Sequence, residues 1–255
     1  MIKVAIYGKG GIGKSTVTSS ISAALGLEGH NVMQLGCDPK TDSTINLLGG
    51  TPPPPILQYL QENGKPDTLD AIVKRGFGNV ACMEVGGPTP GVGCFGRGML
   101  TAFDLLDEMG AYEAYRPDVV LYDIMADVVC GGIAVPMREG FADKVCIVTS
   151  GEKMALLAAR NIITALRNFA DRNYAELGGL ILNCRDMDNE VERVEEFAHE
   201  METSVIGVIP RDTAIHRFEE DGRTVVEGDR SLATSERFFD LARTIVDFGA
   251  GRNAA

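Results

Sequence analysis

Short apolar runs recur at 4–7, 32–35, 80–82, 119–122, 145–148, 180–182 and 205–209, most of them apolar at consecutive rather than alternate positions. That pattern predicts short strands covered on both faces, as in a parallel sheet. Between the runs, apolar residues recur at helical spacing over 15–25, 100–109, 152–170, 191–201 and 235–248, which predicts helices that bury one stripe. Strands and helices alternate, so the expected architecture is α/β: a mainly parallel sheet flanked by helices on both faces. The proline-rich stretch at 51–56 reads as a surface loop, and neither a repeat nor a second core interrupts the pattern. One domain over residues 1–255 is therefore expected.

Of the 255 residues, 45% are apolar, enough to fill a substantial core. The formal charge of -12 argues against a nucleic-acid partner, because neutralising phosphates demands a basic surface. No apolar run approaches the roughly 18 residues of a membrane-spanning helix. Met1, Ile2 and Lys3 lead directly into a strand, without the apolar core of a signal peptide. A cytoplasmic protein with no membrane partner is the expectation. The six cysteines, at 37, 82, 94, 130, 146 and 184, are too sparse for a secreted disulfide scaffold and read as buried thiols or ligands.

Gly8, Lys9, Gly10, Gly11, Ile12, Gly13, Lys14 and Ser15 fit the phosphate-loop pattern G-x-x-x-x-G-K-[ST] between a strand and a helix, the context its mechanism requires. Backbone N–H groups freed by the glycines close around an anion, and the helix N-terminus adds a favourable dipole. Lys14 reaches the β and γ phosphates, and the Ser15 hydroxyl ligates magnesium. MgATP is the expected ligand, and the fold class narrows to a P-loop NTPase. A glycine-rich turn without this role is the bland alternative, and the strand–loop–helix context weighs against it. Two acidic segments follow strands: Asp38, Lys40 and Asp42 after the second apolar run, and Asp123 and Asp127 after the run that ends at Tyr122. Carboxylates at such strand ends hold magnesium's water shell or orient an attacking water. Taken singly, each reads equally well as a helix cap or a solvated turn.

Cys130 stands seven residues beyond Asp123, and Cys94 lies in the glycine-rich stretch 91–98. Thiolates among glycines suit an iron–sulphur cluster, because freed N–H groups donate to the cluster sulphurs. Two cysteines cannot supply the four thiolates of a [4Fe-4S] centre, whereas a symmetric homodimer can, with one cluster on its two-fold axis. Cys146 and Cys184, in or beside apolar runs, read as core thiols, and Cys37 as structural. His30, His199 and His216 show no ligand spacing.

The stretches 7–16, 36–43, 86–98, 127–132 and 210–212 closely resemble the nitrogenase iron protein family, over residues 2 to about 242. Relatives include the reductases of protochlorophyllide and chlorophyllide reduction, of coenzyme F430 biosynthesis and of methylthio-alkane reduction. The resemblance implies that Cys94 and Cys130 hold the [4Fe-4S] cluster between two subunits. It implies nucleotide contacts from Gly8 through Thr16 and from Lys40, magnesium held directly or through water by Ser15, Asp42 and Asp123, and water oriented by Asp38 and Asp127. Lys9 resembles the second lysine of the deviant Walker group, which acts across a dimer interface. Asn183, Pro210, Arg211 and Asp212 match the family's adenine pocket, and Cys82 falls where a cysteine supporting the cluster is frequent. The implied partners are ferredoxin or flavodoxin as electron donor and a nitrogenase-like catalytic heteromer as acceptor. Arg97 and Arg138 are expected on the face that docks it.

Phe95, where relatives carry a small residue, Ala126, where they carry glycine, and the short carboxyl-terminal tail favour sulphur-compound or tetrapyrrole reduction over dinitrogen reduction. Methylthio-alkane reduction leads that choice, and a true nitrogenase iron protein is the alternative. From a different class, Lys9 alone equally suits a partitioning or positioning ATPase without a cluster, or a metallocentre-maturation ATPase. The acidic charge and the lack of a basic carboxyl-terminal helix count against the positioning ATPase.

Overall fold

The computed structural model describes residues 1–87, 94–125, 132, 134–138, 140–169 and 174–250. Ala126, Asp127 and Cys130 lie outside these residues. One eight-stranded sheet organises the chain, built from β1 (Ile2–Tyr7), β2 (Val32–Cys37), β3 (Lys74–Arg75), β4 (Ala81–Glu84), β5 (Val119–Ile124), β6 (Lys144–Thr149), β7 (Glu176–Asn183) and β8 (Val205–Ile209). Their spatial order is β3-β4-β2-β5-β1-β6-β7-β8. Every pairing is parallel except that of β3 with β4. The seven expected strands are present. β3 was not expected, since two exposed basic residues give no apolar signal.

Helices cover both faces. On one, α1 (Lys14–Leu27) and α9 (Ala233–Ala250) bury Val17, Ile21, Leu25, Phe238, Leu241 and Ile245 against Val4 and Ile6 of β1. On the other, α3 (Phe95–Glu108), α5 (Lys153–Arg167) and α6 (Glu190–Glu200) bury Met99, Phe103, Ile162, Ile163 and Phe197 against the opposite side, where Ala5 and Tyr7 point. Residues 4–7 of β1 thus feed the two cores alternately, which is why they are apolar in succession; Lys3, at the start of the strand, is half-buried. Short helices α2 (Ile56–Asn63), α4 (Ala111–Tyr115), α7 (Thr213–Glu220) and α8 (Val225–Gly228) complete the chain.

Two differences from the sequence reading bear on the site. α3 begins at Phe95, not near 100, because Gly96 and Gly98 lower local helix propensity while tertiary contacts hold the turn. The stretch 51–56 is not a plain surface loop: Pro53 is buried, and Pro55 stands at the N-terminus of α2.

Candidate functional site

At the carboxyl edge of the sheet, β1 runs into the glycine loop and then α1. Gly8 takes φ +148, and a Cβ there would lie 2.3 Å from the carbonyl oxygen of Val148 on β6. Gly13 takes a left-handed φ of +95 where α1 begins, with the Asn183 amide 2.5 Å from any added Cβ. Glycine is therefore required at both ends of the turn. Ile12 anchors the loop in the core, and Asn183 Nδ2 donates to its carbonyl at 2.8 Å. Buried Lys14 donates from Nζ to the Lys9 carbonyl at 3.2 Å, so its charge is held inside the loop's curve.

Gly10, Gly11, Gly13, Lys14, Ser15, Thr16, Asp38, Lys40, Asp42 and Asp123 line one cleft of about 560 Å³. Ten of the sequence-derived candidates thus converge there. Asp123, near the end of β5, is buried; burial raises its pKa, and hydrogen bonding to Ser15 and Ser43 and the charge of Lys14 oppose the rise. A desolvated carboxylate beside a serine hydroxyl fits the donor set for a hard divalent cation next to phosphate. Asp38 accepts from the Lys40 N–H at 2.9 Å, which orders the turn that carries Asp42. Below this turn, Gln34 donates to the Ser43 carbonyl and hydroxyl, each at 3.0 Å, and Ser19 donates to the same carbonyl at 2.7 Å. Lys9 does not line the cleft of its own chain.

A second hollow of about 240 Å³ lies on the other side of the loop and brings together Asn183, Pro210, Arg211 and Asp212. Asp212 caps α7, accepting from Ala214 N–H at 2.8 Å and from Thr234 Oγ1 at 2.6 Å, and these bonds lower its pKa. Its carboxylate therefore shapes the hollow's wall.

Cys94 is exposed at the N-terminus of α3. A Cβ on Gly96 would fall 2.3 Å from Gly132 Cα, and one on Gly132 would fall 3.2 Å from Cys94 Sγ. The Cys94 turn therefore rests against the residue two beyond Cys130. This bare, glycine-walled thiol fits one of the four thiolates of a ligand set shared between chains. Among the described residues, no group of three or more His, Cys, Asp or Glu forms a metal site within one chain. Exposed Arg97 lies beside Cys94, with Leu57 and Thr101. Phe95 is half-buried and packs on the core under α3.

The remaining thiols differ. Burial pushes Cys82 and Cys146 up to about 12 and raises Cys37. Cys82 packs in the core under α1. Cys184, expected in the core, is half-buried and lines the second hollow, because β7 ends one residue before it.

Four contributors were missed. Arg185 donates to the Gly11 carbonyl at 2.8 Å, and Glu219 accepts from Thr16 Oγ1 and from Asn46. Glu190 accepts from the N–H groups of Gly151 and Arg185, at 2.9 and 2.8 Å. Glu84 is buried at the end of β4, and burial pushes its carboxyl up to about 7. A charged residue closing an apolar strand was the available signal for Glu84; nothing local marks the other three.

The fold, the loop and the cleft define an ATPase of the P-loop class. The family model for 4Fe-4S iron sulfur cluster binding proteins of the NifH/frxC family matches residues 2–251, and the chain belongs to that family. Among solved structures, the cell division ATPase MinD of Pyrococcus furiosus is similar at TM-score 0.74 and 22% identity, covering 97% of this chain and 99% of that one. The septum site-determining protein MinD of Pyrococcus horikoshii, complexed with Mg-ADP, gives 0.74 and 21%, with 98% and 97% covered. The MinC:MinD complex of Aquifex aeolicus gives 0.72 and 24%, with 97% and 96% covered. These likenesses show the fold. Among the described residues, no helix is long and apolar enough to cross a membrane.

Proposed function

We propose that the chain is the ATP-hydrolysing, iron–sulphur-carrying reductase component of a nitrogenase-like two-component system. It works as a homodimer, accepts single electrons from ferredoxin or flavodoxin, and delivers them to a separate catalytic heteromer. The observation that carries this reading is the exposed Cys94 thiol, seated through Gly96 against Gly132 on the sheet edge that also bears the phosphate loop. Cys94 and Cys130 of two subunits would hold one [4Fe-4S] cluster, which when bound supplies one-electron redox chemistry.

The chain's own residues do the rest. Loop N–H groups and Lys14 bind the phosphates; Ser15, Asp42 and Asp123 hold magnesium directly or through water; Asp38 and Asp127 orient the attacking water. Lys9, which does not line its own cleft, reaches the nucleotide of the partner subunit. Asn183 and the turn 210–212 receive the adenine. Arg97 and Arg138 belong to the docking face. Phe95 and Ala126 favour a partner that reduces a sulphur compound, methylthio-alkanes first, or a tetrapyrrole, over one that reduces dinitrogen.

Anaerobically purified protein should carry about four irons per dimer. Cys94→Ser or Cys130→Ser should remove the brown chromophore, while Cys146→Ser keeps it. A full cluster in Cys130→Ser protein overturns the bridging arrangement. The likeness to MinD favours a second reading, a cluster-free positioning ATPase, and iron-free protein whose ATPase rises with anionic lipid vesicles would establish it instead.

A further inference from the structure

Glu84 is fully buried where β4 ends, and one of its two oxygens is committed. Oε1 accepts from Thr44 N–H at 2.7 Å and from Thr44 Oγ1 at 2.6 Å. Oε2 has no hydrogen-bond partner among the described residues and faces Gly36, where any Cβ would collide with it. Thr44 directly follows Ser43, which is bonded to Asp123 and Gln34 and sits one residue past Asp42. Beyond Glu84, the Val85 N–H donates to the Gly36 carbonyl at 2.8 Å, and a Cβ on Gly87 would fall 2.7 Å from Cβ of Pro39. Pro39 itself lines the nucleotide cleft. The backbone that heads towards Cys94 is thus fastened to the first acidic segment twice, by a carboxyl group and by a glycine pressed on a proline.

A buried carboxyl with an unpartnered oxygen is a costly way to fill a strand end; an apolar side chain would pack there without the desolvation penalty. Its retained value is the pair of bonds to Thr44. We propose that Glu84 is a positioning residue that ties segment 38–44, which responds to nucleotide, to backbone 85–87, and so gives the Cys94 side its own mechanical link to the nucleotide. This rests on the reductase reading for its purpose, but the link itself belongs to the fold. Asp123 stands seven residues before Cys130 in the sequence, on a separate stretch of chain; the Glu84 route leads to the Cys94 side. Magnesium and the attacking water beside the γ-phosphate would draw on Asp42 and Asp38, and Thr44 would move with them and carry the end of β4 along.

The test compares full-length protein at saturating MgATP and at saturating MgADP. One readout is backbone hydrogen exchange over 83–98, and the other is the rate at which a chelator removes iron. Wild type should show a nucleotide-dependent difference in both. Glu84→Leu should shrink that difference about tenfold, the scale of losing two hydrogen bonds to one carboxyl group. Glu84→Gln, which keeps an acceptor for Thr44, should restore it. Thr44→Val removes only the hydroxyl bond and should shrink the difference by a smaller factor, and it decides the matter if Glu84→Leu does not fold. An undiminished difference in Glu84→Leu, or in Thr44→Val, overturns the link, as does a wild-type protein whose exchange over 83–98 ignores the nucleotide. If the protein carries no iron, the reductase reading fails on that count alone, and the exchange readout still decides the link.

Discussion

The phosphate loop and the Cys94 turn are both glycine-rich and sit on the same edge of the sheet, yet they are built differently. In the loop, each critical glycine presses on something inside the same chain: Gly8 on the Val148 carbonyl, Gly13 on the Asn183 amide. Lys14, Asn183 and Arg185 then bond to loop carbonyls, so the curve of the loop is fixed by its own chain. In the Cys94 turn, Gly96 presses on Gly132, and the thiol itself is left exposed. One region is held by bonds within its own chain; the other leaves its thiol open, as the proposed sharing of a cluster between two subunits would require. On the proposed reading, the shape of the first is therefore set by the monomer fold, whereas cluster binding at the second would depend on a dimer.

The largest expected effect breaks the first region. Gly8→Ala places a methyl group 2.3 Å from a backbone oxygen at φ +148, so either β6 or the loop must move. The combined overpacking and backbone strain should cost about 3 kcal/mol or more, a hundredfold loss of MgATP affinity in protein that still folds. Calorimetric titration with MgATP checks it, and affinity within threefold of wild type would show that the loop is not preorganised as described.

The second effect concerns the tie between the regions. Burial raises Glu84 from an ordinary 4.5 to about 7. Between those values the folded chain holds a proton that the unfolded chain releases. The contribution of Glu84 is fully present below about 4.5 and is lost as pH climbs through 7, a change of about 3 kcal/mol at most. Urea midpoints of wild type and Glu84→Gln should therefore diverge across this window, with the wild type losing ground as pH rises. Parallel curves would mean that the carboxyl keeps its ordinary affinity for protons.

Much of this arrangement was legible in the sequence, and the limits have physical reasons. The loop is eight contiguous residues, and seven strands announced themselves because most are buried on both faces and so run apolar at consecutive positions, buried Gln34 of β2 being an exception. The start of α3 was hidden, since Gly96 and Gly98 are poor helix formers retained for contacts with Gly132 and Leu57. Arg185, Glu190 and Glu219 were invisible because their roles come from partners far along the chain, such as Gly11, Gly151 and Thr16. Cys184 packs against the core as expected but also lines the second hollow, a double role hidden because a strand's last apolar position and the first residue of a site look alike.

A smaller effect breaks the second region. Gly96→Ala gains about 1 kcal/mol of helix propensity. The new methyl would lie 2.3 Å from Gly132 Cα and 2.5 Å from its carbonyl oxygen, both backbone atoms that cannot rotate away. Overpacking of this kind costs about 1–3 kcal/mol, so a net loss of about 1 kcal/mol is expected, paid by separating the Cys94 turn from the 132 segment. Iron content should fall and MgATP affinity should hold. Iron counting and calorimetry on one preparation check both.

The smallest effect sharpens the comparison within a single helix. Gly98 lies two residues beyond Gly96, and its added Cβ would fall 2.6 Å from Leu57 Cδ1. That distance is nearly as short as the one at Gly96, but its partner is the far end of a flexible side chain on α2, which a rotamer change can withdraw at about 0.5–1.5 kcal/mol. Helix propensity returns about 1 kcal/mol, so the two terms cancel to within about 0.5 kcal/mol. Gly98→Ala should therefore leave thermal stability, iron content and MgATP affinity close to wild type, and its contrast with Gly96→Ala isolates backbone contact as the cause. A loss of iron in Gly98→Ala equal to that in Gly96→Ala would mean that the turn tolerates no side chain anywhere, and that the Gly96–Gly132 contact is not what seats Cys94.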